Sequence, residues 1–262
     1  MEGDASVVFV QPHEAFSENK LWYIYGEEGY SSNRGRLTVN RFDQETYIFV
    51  QAFVGEEIDD YFGKIVTLSS NGSTLIVGTR RESLQEESYV KIYHHNNAID
   101  VLFVLESKFS NIDRFGTSNT PSTNGNEVVI GTISANNEVG SVTAGSFFIY
   151  IRERGGGFSL HSRFYGKKNY DNLGHSVAIS SNANVIAASA IMTDYGDINA
   201  GSIYIYERGR DMGWHEIARF DGAKAYEYLG KNGLTVEEQG YMFLLHAKGR
   251  DGIRTYKKIM HP

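Results

Sequence analysis

The sequence predicts an all-β fold: a five-bladed β-propeller of four-stranded antiparallel blades, the last blade three-stranded. Three observations carry this. Phe62-Gly63, Phe115-Gly116, Leu173-Gly174 and Leu229-Gly230 open the same pattern, with glycines 53, 58 and 56 residues apart. A fixed period of that length marks stacked supersecondary units, and a β-rich unit of this size suits a propeller blade. A four-strand text recurs within each period. The composition, 28 glycines, 3 prolines and 13% aromatics, suits many strands joined by tight turns.

The fourth blade is the clearest. His175 to Ser180 is short and apolar, as a strand buried on both faces should be, and Val185 to Ala190 returns as a second. Gly201 to Glu207 (GSIYIYE) alternates with period two, and Trp214 to Asp221 makes the outer strand. Blade 1 is expected near Ser6 (SVVFV), Leu21 to Tyr25, Gly35 to Asn40 and Tyr47 to Phe53. Blade 2 follows at Gly63 to Leu68, Thr74 to Thr79, Ser88 to Tyr93 and Val101 to Lys108. Blade 3 starts at Gly116 and continues through Glu127 to Thr132, Gly145 to Arg152 and Phe158 to Tyr165. Blade 5 has Asn232 to Glu237, Tyr241 to His246 and Gly252 to Lys258. One domain, 1–262, thus divides near 4–58, 59–111, 112–168, 169–225 and 226–262.

The turns between first and second strands carry Asn71-Gly72, Asn124-Gly125, Asn182-Ala183 and Gln239-Gly240. Asn-Gly suits the two positive-φ positions of a type I′ hairpin. The last strand leaves an open edge. Arg254, Lys257 and Lys258 on it would guard that edge, a reading favoured over a partner strand completing the blade.

Net charge is −7, which argues against a nucleic-acid backbone as partner. No run reaches the roughly 18 apolar residues of a membrane helix, so no membrane insertion is expected. The acidic start Met1-Glu2-Gly3-Asp4 is unlike a secretory signal, and with no cysteine there is no disulfide or thiolate site; an intracellular location is favoured. The sequon Asn71-Gly72-Ser73 reads as a turn. The eight histidines show no metal-binding spacing; His94 and His95 point to opposite faces of a strand. No metal and no cofactor are expected.

On these residues the chain resembles the FG-GAP repeat family, the propeller repeats of integrin α-chain heads. The resemblance rests on Phe-Gly or Leu-Gly before the first strand, on Gly78 and Gly131 closing second strands, and on Ala144-Gly145-Ser146 and Ala200-Gly201-Ser202 before third strands. It implies a propeller whose ligand face is built by the loops between second and third strands and the linkers between blades. Departures are plain. The family's Gly-Ala-Pro triplet has become Gly78-Thr79-Arg80, Gly131-Thr132-Ile133 and Ser189-Ala190-Ile191. The turns that carry its calcium loops have no carboxylate, so those sites are not expected.

Candidate ligand- or partner-binding residues follow the repeat. An acid stands three positions before each motif glycine: Asp60, Asp113, Asp171 and Glu227. Such acids could ring a channel mouth and hold a cation or basic side chain. They could equally accept backbone N–H bonds and fix the turn, and their presence in every blade favours the turn. The unequal loops between second and third strands are where recognition usually lives; Tyr30, Arg80, Arg81 and Tyr195 stand out in them. Trp22 and Trp214 could form a sugar platform, with packing preferred for Trp214. No nucleophile elbow, phosphate loop or catalytic carboxylate pair is present. The expected function is a non-catalytic binding or scaffolding propeller that presents loops to a protein partner. The alternatives are a carbohydrate-binding propeller and, less favoured, a glycan-cleaving enzyme.

Overall fold

The computed structural model describes residues 14–79, 87–95, 102–111, 115–135, 142–239, 242–249 and 252–259. Among these residues, nineteen strands form five antiparallel sheets. The first sheet is β1 (Glu14–Phe16), β2 (Trp22–Glu27), β3 (Arg36–Asp43) and β4 (Thr46–Val54). The second is β5 (Ile65–Leu68), β6 (Thr74–Gly78), β7 (Ser88–His94) and β8 (Val104–Asn111). The third is β9 (Ser118–Pro121), β10 (Glu127–Thr132), β11 (Ser146–Arg152) and β12 (Phe158–Tyr165). The fourth is β13 (Leu173–Ile179), β14 (Val185–Ala190), β15 (Ser202–Arg208) and β16 (Trp214–Asp221). The fifth has three strands, β17 (Leu234–Gln239), β18 (Met242–Gly249) and β19 (Gly252–Ile259). Strands lie side by side in chain order, so every connection within a sheet is a simple antiparallel return.

Two compact units emerge from the packing. Of the described residues, those within 14–128 and 151–159 form one, and those within 129–150 and 160–259 the other. In the first unit, Trp22, Ile24, Leu37, Val39, Phe62, Leu75, Val77 and Phe103 build the core. Trp22 meets Phe103 edge-on at 5.2 Å and His95 at 4.9 Å. In the second, Phe147, Ile149, Leu173, Ile186 and Tyr206 form one cluster, while Val185, Ile203, Leu229 and Val236 form another. The second strands β6 and β14 are buried throughout, and their largely apolar text reflects packing on both faces.

Several expectations are corrected. The first strand of the first sheet is Glu14–Phe16, paired with Tyr23–Tyr25; Ser6 to Val10 lie outside the described residues. β9 starts at Ser118 rather than Gly116, and β8 at Val104 rather than Val101. The first turns are not type I′. Gly72, Gly125 and Ala183 have φ of 75°, 71° and 58°, but Asn71, Asn124 and Asn182 are not left-handed. Each asparagine instead accepts an N–H two residues on: Ser73 to Asn71 at 3.0 Å, Asn126 to Asn124 at 3.0 Å, Asn184 to Asn182 at 3.1 Å. A serine two residues earlier donates to it and accepts the N–H that opens the next strand, as Thr74 does to Ser69 at 2.9 Å. Ser17 and Asn19 repeat this in the first sheet, with Lys20 in the left-handed position. Gln239-Gly240 falls partly outside the described residues. Arg254 does not serve only as an edge charge: it pairs with buried Glu227 at 2.8 Å.

Gly35, Gly145 and Gly201, just before β3, β11 and β15, each meet the next linker at close range. At Gly145, φ is 76° and a Cβ would stand 2.3 Å from the Leu173 carbonyl oxygen. Gly155, by contrast, faces open space. Gly145→Ala is expected to cost about 2 kcal/mol or more, from positive φ and the clash together, while Gly155→Ala stays within about 0.5 kcal/mol; urea unfolding of both variants checks this.

Candidate functional site

The chain between one sheet and the next is shaped the same way three times. In the first unit, the linker Gly55 to Phe62 lies along the loop that joins β2 to β3. Asp59, Tyr61 and Phe62 donate their N–H groups to the carbonyls of Ser32, Asn33 and Arg34 at 3.4, 2.8 and 3.1 Å. In the second unit, Tyr170 and Leu173 donate to Val142 and Ala144 at 3.0 and 2.9 Å. Tyr226, Tyr228 and Leu229 donate to Ile198, Asn199 and Ala200 at 2.7, 3.2 and 2.9 Å. Each linker is thereby zipped to the preceding loop by backbone bonds.

The predicted acids sit inside these linkers, buried. Asp60 accepts the Glu57 N–H at 2.9 Å and the Tyr89 hydroxyl at 2.7 Å. Asp171 accepts the N–H groups of Lys167 and Lys168 at 3.1 and 2.8 Å. Glu227 accepts the Ala223 N–H at 2.8 Å and the Arg254 guanidinium. Burial raises the Asp171 pKa, and the two N–H bonds oppose that rise. These contacts are what a turn-fixing carboxylate makes. Asp113, Arg80 and Arg81 lie outside the described residues. No group of three or more potential metal ligands occurs among the described residues.

The residues flanking the acids are strained. Asp59 and Tyr61, Tyr170 and Asn172, and Tyr226 and Tyr228 all have positive φ, between 49° and 65°. An L-residue in that region costs on the order of 1–2 kcal/mol, and a bulky tyrosine is an outlier there. Tyr170 and Tyr226 occupy the same repeat position and are 59% and 47% exposed. Their N–H partners Val142 and Ile198 are also exposed apolar residues. The second unit thus presents an exposed aromatic–aliphatic pair at each of two successive joints. These residues escaped the sequence reading, although a signal was present: Lys168-Asn169-Tyr170-Asp171 and Lys224-Ala225-Tyr226-Glu227 match in register.

The predicted loop aromatics lie on the same kinds of segment. Tyr195 has the Arg219 guanidinium 3.7 Å from its ring centre and the Lys168 ammonium at 4.5 Å. Tyr204, whose pKa burial pushes far up, lies beside both Tyr195 and Asp171. In the other unit, Tyr30 is exposed, under Arg36 at 4.5 Å. It opens a left-handed turn in which Ser31, Ser32 and Asn33 have φ of 48°, 57° and 59°. The sugar platform is not formed: Trp22 and Trp214 are buried. His95 packs on Trp22, and His94 is half-buried at the end of β7.

Sqt1 of Chaetomium thermophilum superposes with a TM-score of 0.57 at 17% identity, over 92% of this chain and 54% of that one. A putative 6-phosphogluconolactonase from Bacteroides uniformis gives 0.57 at 11% identity, over 99% of this chain and 75% of that one. Sqt1 bound to the N-terminus of the ribosomal protein L10 gives 0.55 at 16% identity, over 92% and 57%. The fold is a β-propeller. The chain spans about half the length of Sqt1. No family model and no curated protein matches the sequence, so the FG-GAP resemblance gains no support there. No helix among the described residues is long and apolar enough to cross a membrane.

Asp171→Ala removes the acceptor of two part-buried N–H groups and is expected to cost about 1–3 kcal/mol. Asp171→Asn keeps one accepting oxygen and is expected to cost less; denaturant midpoints of both variants check the order.

Proposed function

We propose that this chain is a non-catalytic, five-bladed binding propeller that holds a protein partner on its inter-blade joints. One observation carries the reading. Tyr170 and Tyr226 hold an unfavourable backbone conformation while exposing large amphipathic rings. A folded chain gains little stability from such residues, and strain of this kind clusters where binding is done. Tyrosine supplies a broad, rigid contact area and a polar tip, which suits a protein interface. Val142 and Ile198 add apolar surface beside them. The bound segment of a ribosomal protein on Sqt1 is in keeping with a propeller that engages a protein terminus. The buried acids brace this surface and take no part in contact.

The equal placement of Tyr170 and Tyr226 also favours a second reading, a carbohydrate-binding propeller with one aromatic platform per joint. The loops differ in length, but each tyrosine stands four residues after the glycine that follows its preceding outer strand, Gly166 or Gly222.

Asparagine tolerates positive φ better than tyrosine. The double variant Tyr170→Asn, Tyr226→Asn is expected to fold with unchanged or higher stability, by up to about 1–2 kcal/mol per site. It is expected to lose the proteins that the wild-type chain captures from its native source, read by quantitative affinity purification. Capture equal to wild type overturns the reading. Wild-type binding on a glycan array, lost in the same variant, replaces it with the second.

A further inference from the structure

The first sheet buries one face and leaves much of the other open. Trp22, Ile24, Leu37 and Val39 lie on the buried face, in the core of the first unit. Side chains alternate along a strand and share a face across a pair. The register therefore places Phe16 with Tyr23, and Phe42 with Tyr47, on the open face. Their rings touch. Phe16 stacks on Tyr23 at 4.6 Å, and Tyr23 meets Tyr25 at 5.6 Å and Tyr47 at 5.5 Å. Tyr47 meets Phe42 at 5.3 Å, and its hydroxyl donates to the Lys20 carbonyl at 2.8 Å. Phe16 and Phe42 are 41% and 40% exposed, and the three tyrosines are half-buried.

Other partly open rings in this chain carry one of its own cations. Arg36 lies over Tyr30 at 4.5 Å, Arg163 over Tyr165 at 4.2 Å and Lys231 over Tyr228 at 4.9 Å. Among the described residues, no lysine or arginine lies over the five rings of this cluster. Acids border it instead. Glu14 stands opposite Tyr25, and Asp43 and Glu45 lie in the hairpin just past the Phe42–Tyr47 pair. None of the three forms an ion pair with a described residue. Burial raises the Tyr23 pKa, and the Glu14 carboxylate raises it further. Two bases stand in the same strands and turns. Arg41 opposes Trp22 and so alternates to the other face, and Lys20 lies in the turn before β2.

A ring face is electron-rich and draws a lysine or arginine head group, for about a twofold to fivefold gain in affinity per ring at an exposed position. Carboxylates at the margin add to that attraction and turn anions away. Rings alone would suit any apolar cover; rings bordered by acids without ion pairs suit a cation. A second copy of this chain would set the same acids against each other. We infer that this face takes the lysine and arginine side chains of a basic peptide segment, stacking them on the rings while the acids hold the segment's charge. The surface belongs to the first unit and does not rest on the joints at Tyr170 and Tyr226.

The test is fluorescence anisotropy of labelled peptides on the whole chain. A short peptide of lysine, arginine and serine is expected to bind wild type, more weakly as salt rises. The same peptide with glutamate for each basic residue is expected not to bind. The double variant Phe16→Leu, Phe42→Leu keeps apolar side chains at two exposed positions and removes two ring faces. It is expected to bind the basic peptide at least about fourfold more weakly, with an unchanged circular dichroism spectrum. Its charge is that of wild type, so attraction by net charge alone would leave binding unaltered. Asp43→Asn with Glu45→Gln is expected to weaken binding and flatten its salt dependence. No binding of the basic peptide, equal binding of the glutamate peptide, or wild-type affinity in either double variant overturns the inference.

Discussion

The structure depends on the backbone seam between each loop and the linker that follows it. Sheets in a repeat protein must be held at a constant offset, and side-chain packing alone tolerates slippage. Here two or three N–H groups in each of three linkers bond to carbonyls along the preceding loop. The register is set by peptide groups, whose spacing does not vary with side-chain identity. The buried acid follows from that seam. A linker zipped along one side leaves other N–H groups turned inward, and a carboxylate accepts them more strongly than a neutral group does. Gly35, Gly145 and Gly201 before third strands follow too, because backbone atoms of the linker occupy the place of a Cβ there.

The same seam explains why strain collects there. To alternate between groups that face the loop and groups that face the carboxylate, the linker takes left-handed steps on both sides of the acid. Glycine or asparagine would take them at little cost. Asn172 does so in one linker, but tyrosine stands at Tyr61, Tyr170, Tyr226 and Tyr228. Two of these have cations over their rings, Lys64 on Tyr61 and Lys231 on Tyr228. Tyr170 and Tyr226 are the exposed pair on which the binding reading rests.

Much of the fold was legible because hydrophobic text and turn chemistry repeat together. The buried second strands and the alternating third strands announced themselves through apolar runs and period-two patterns. Glu14–Phe16 did not, being three residues long, while the louder Val7-Val8-Phe9-Val10 run drew the assignment upstream. The turn after it was hidden because Lys20 takes the left-handed place that glycine marks elsewhere; Ser17 and Asn19 were the readable part. The acids were visible as a series. Whether they face a ligand or a peptide N–H depends on the path of the linker, which no local pattern encodes. Tyr170 and Tyr226 were overlooked for the same reason, since a one-dimensional pattern shows neither exposure nor φ.

Amide hydrogen exchange of the free chain tests the seam most directly. The N–H groups of Phe62, Leu173 and Leu229 each donate across it, at 3.1, 2.9 and 2.9 Å. They are expected to exchange as slowly as amides of the buried strands β6 and β14, opening only with the sheets themselves. Exchange at the rate of exposed loop amides, with β6 and β14 still protected, would contradict the account.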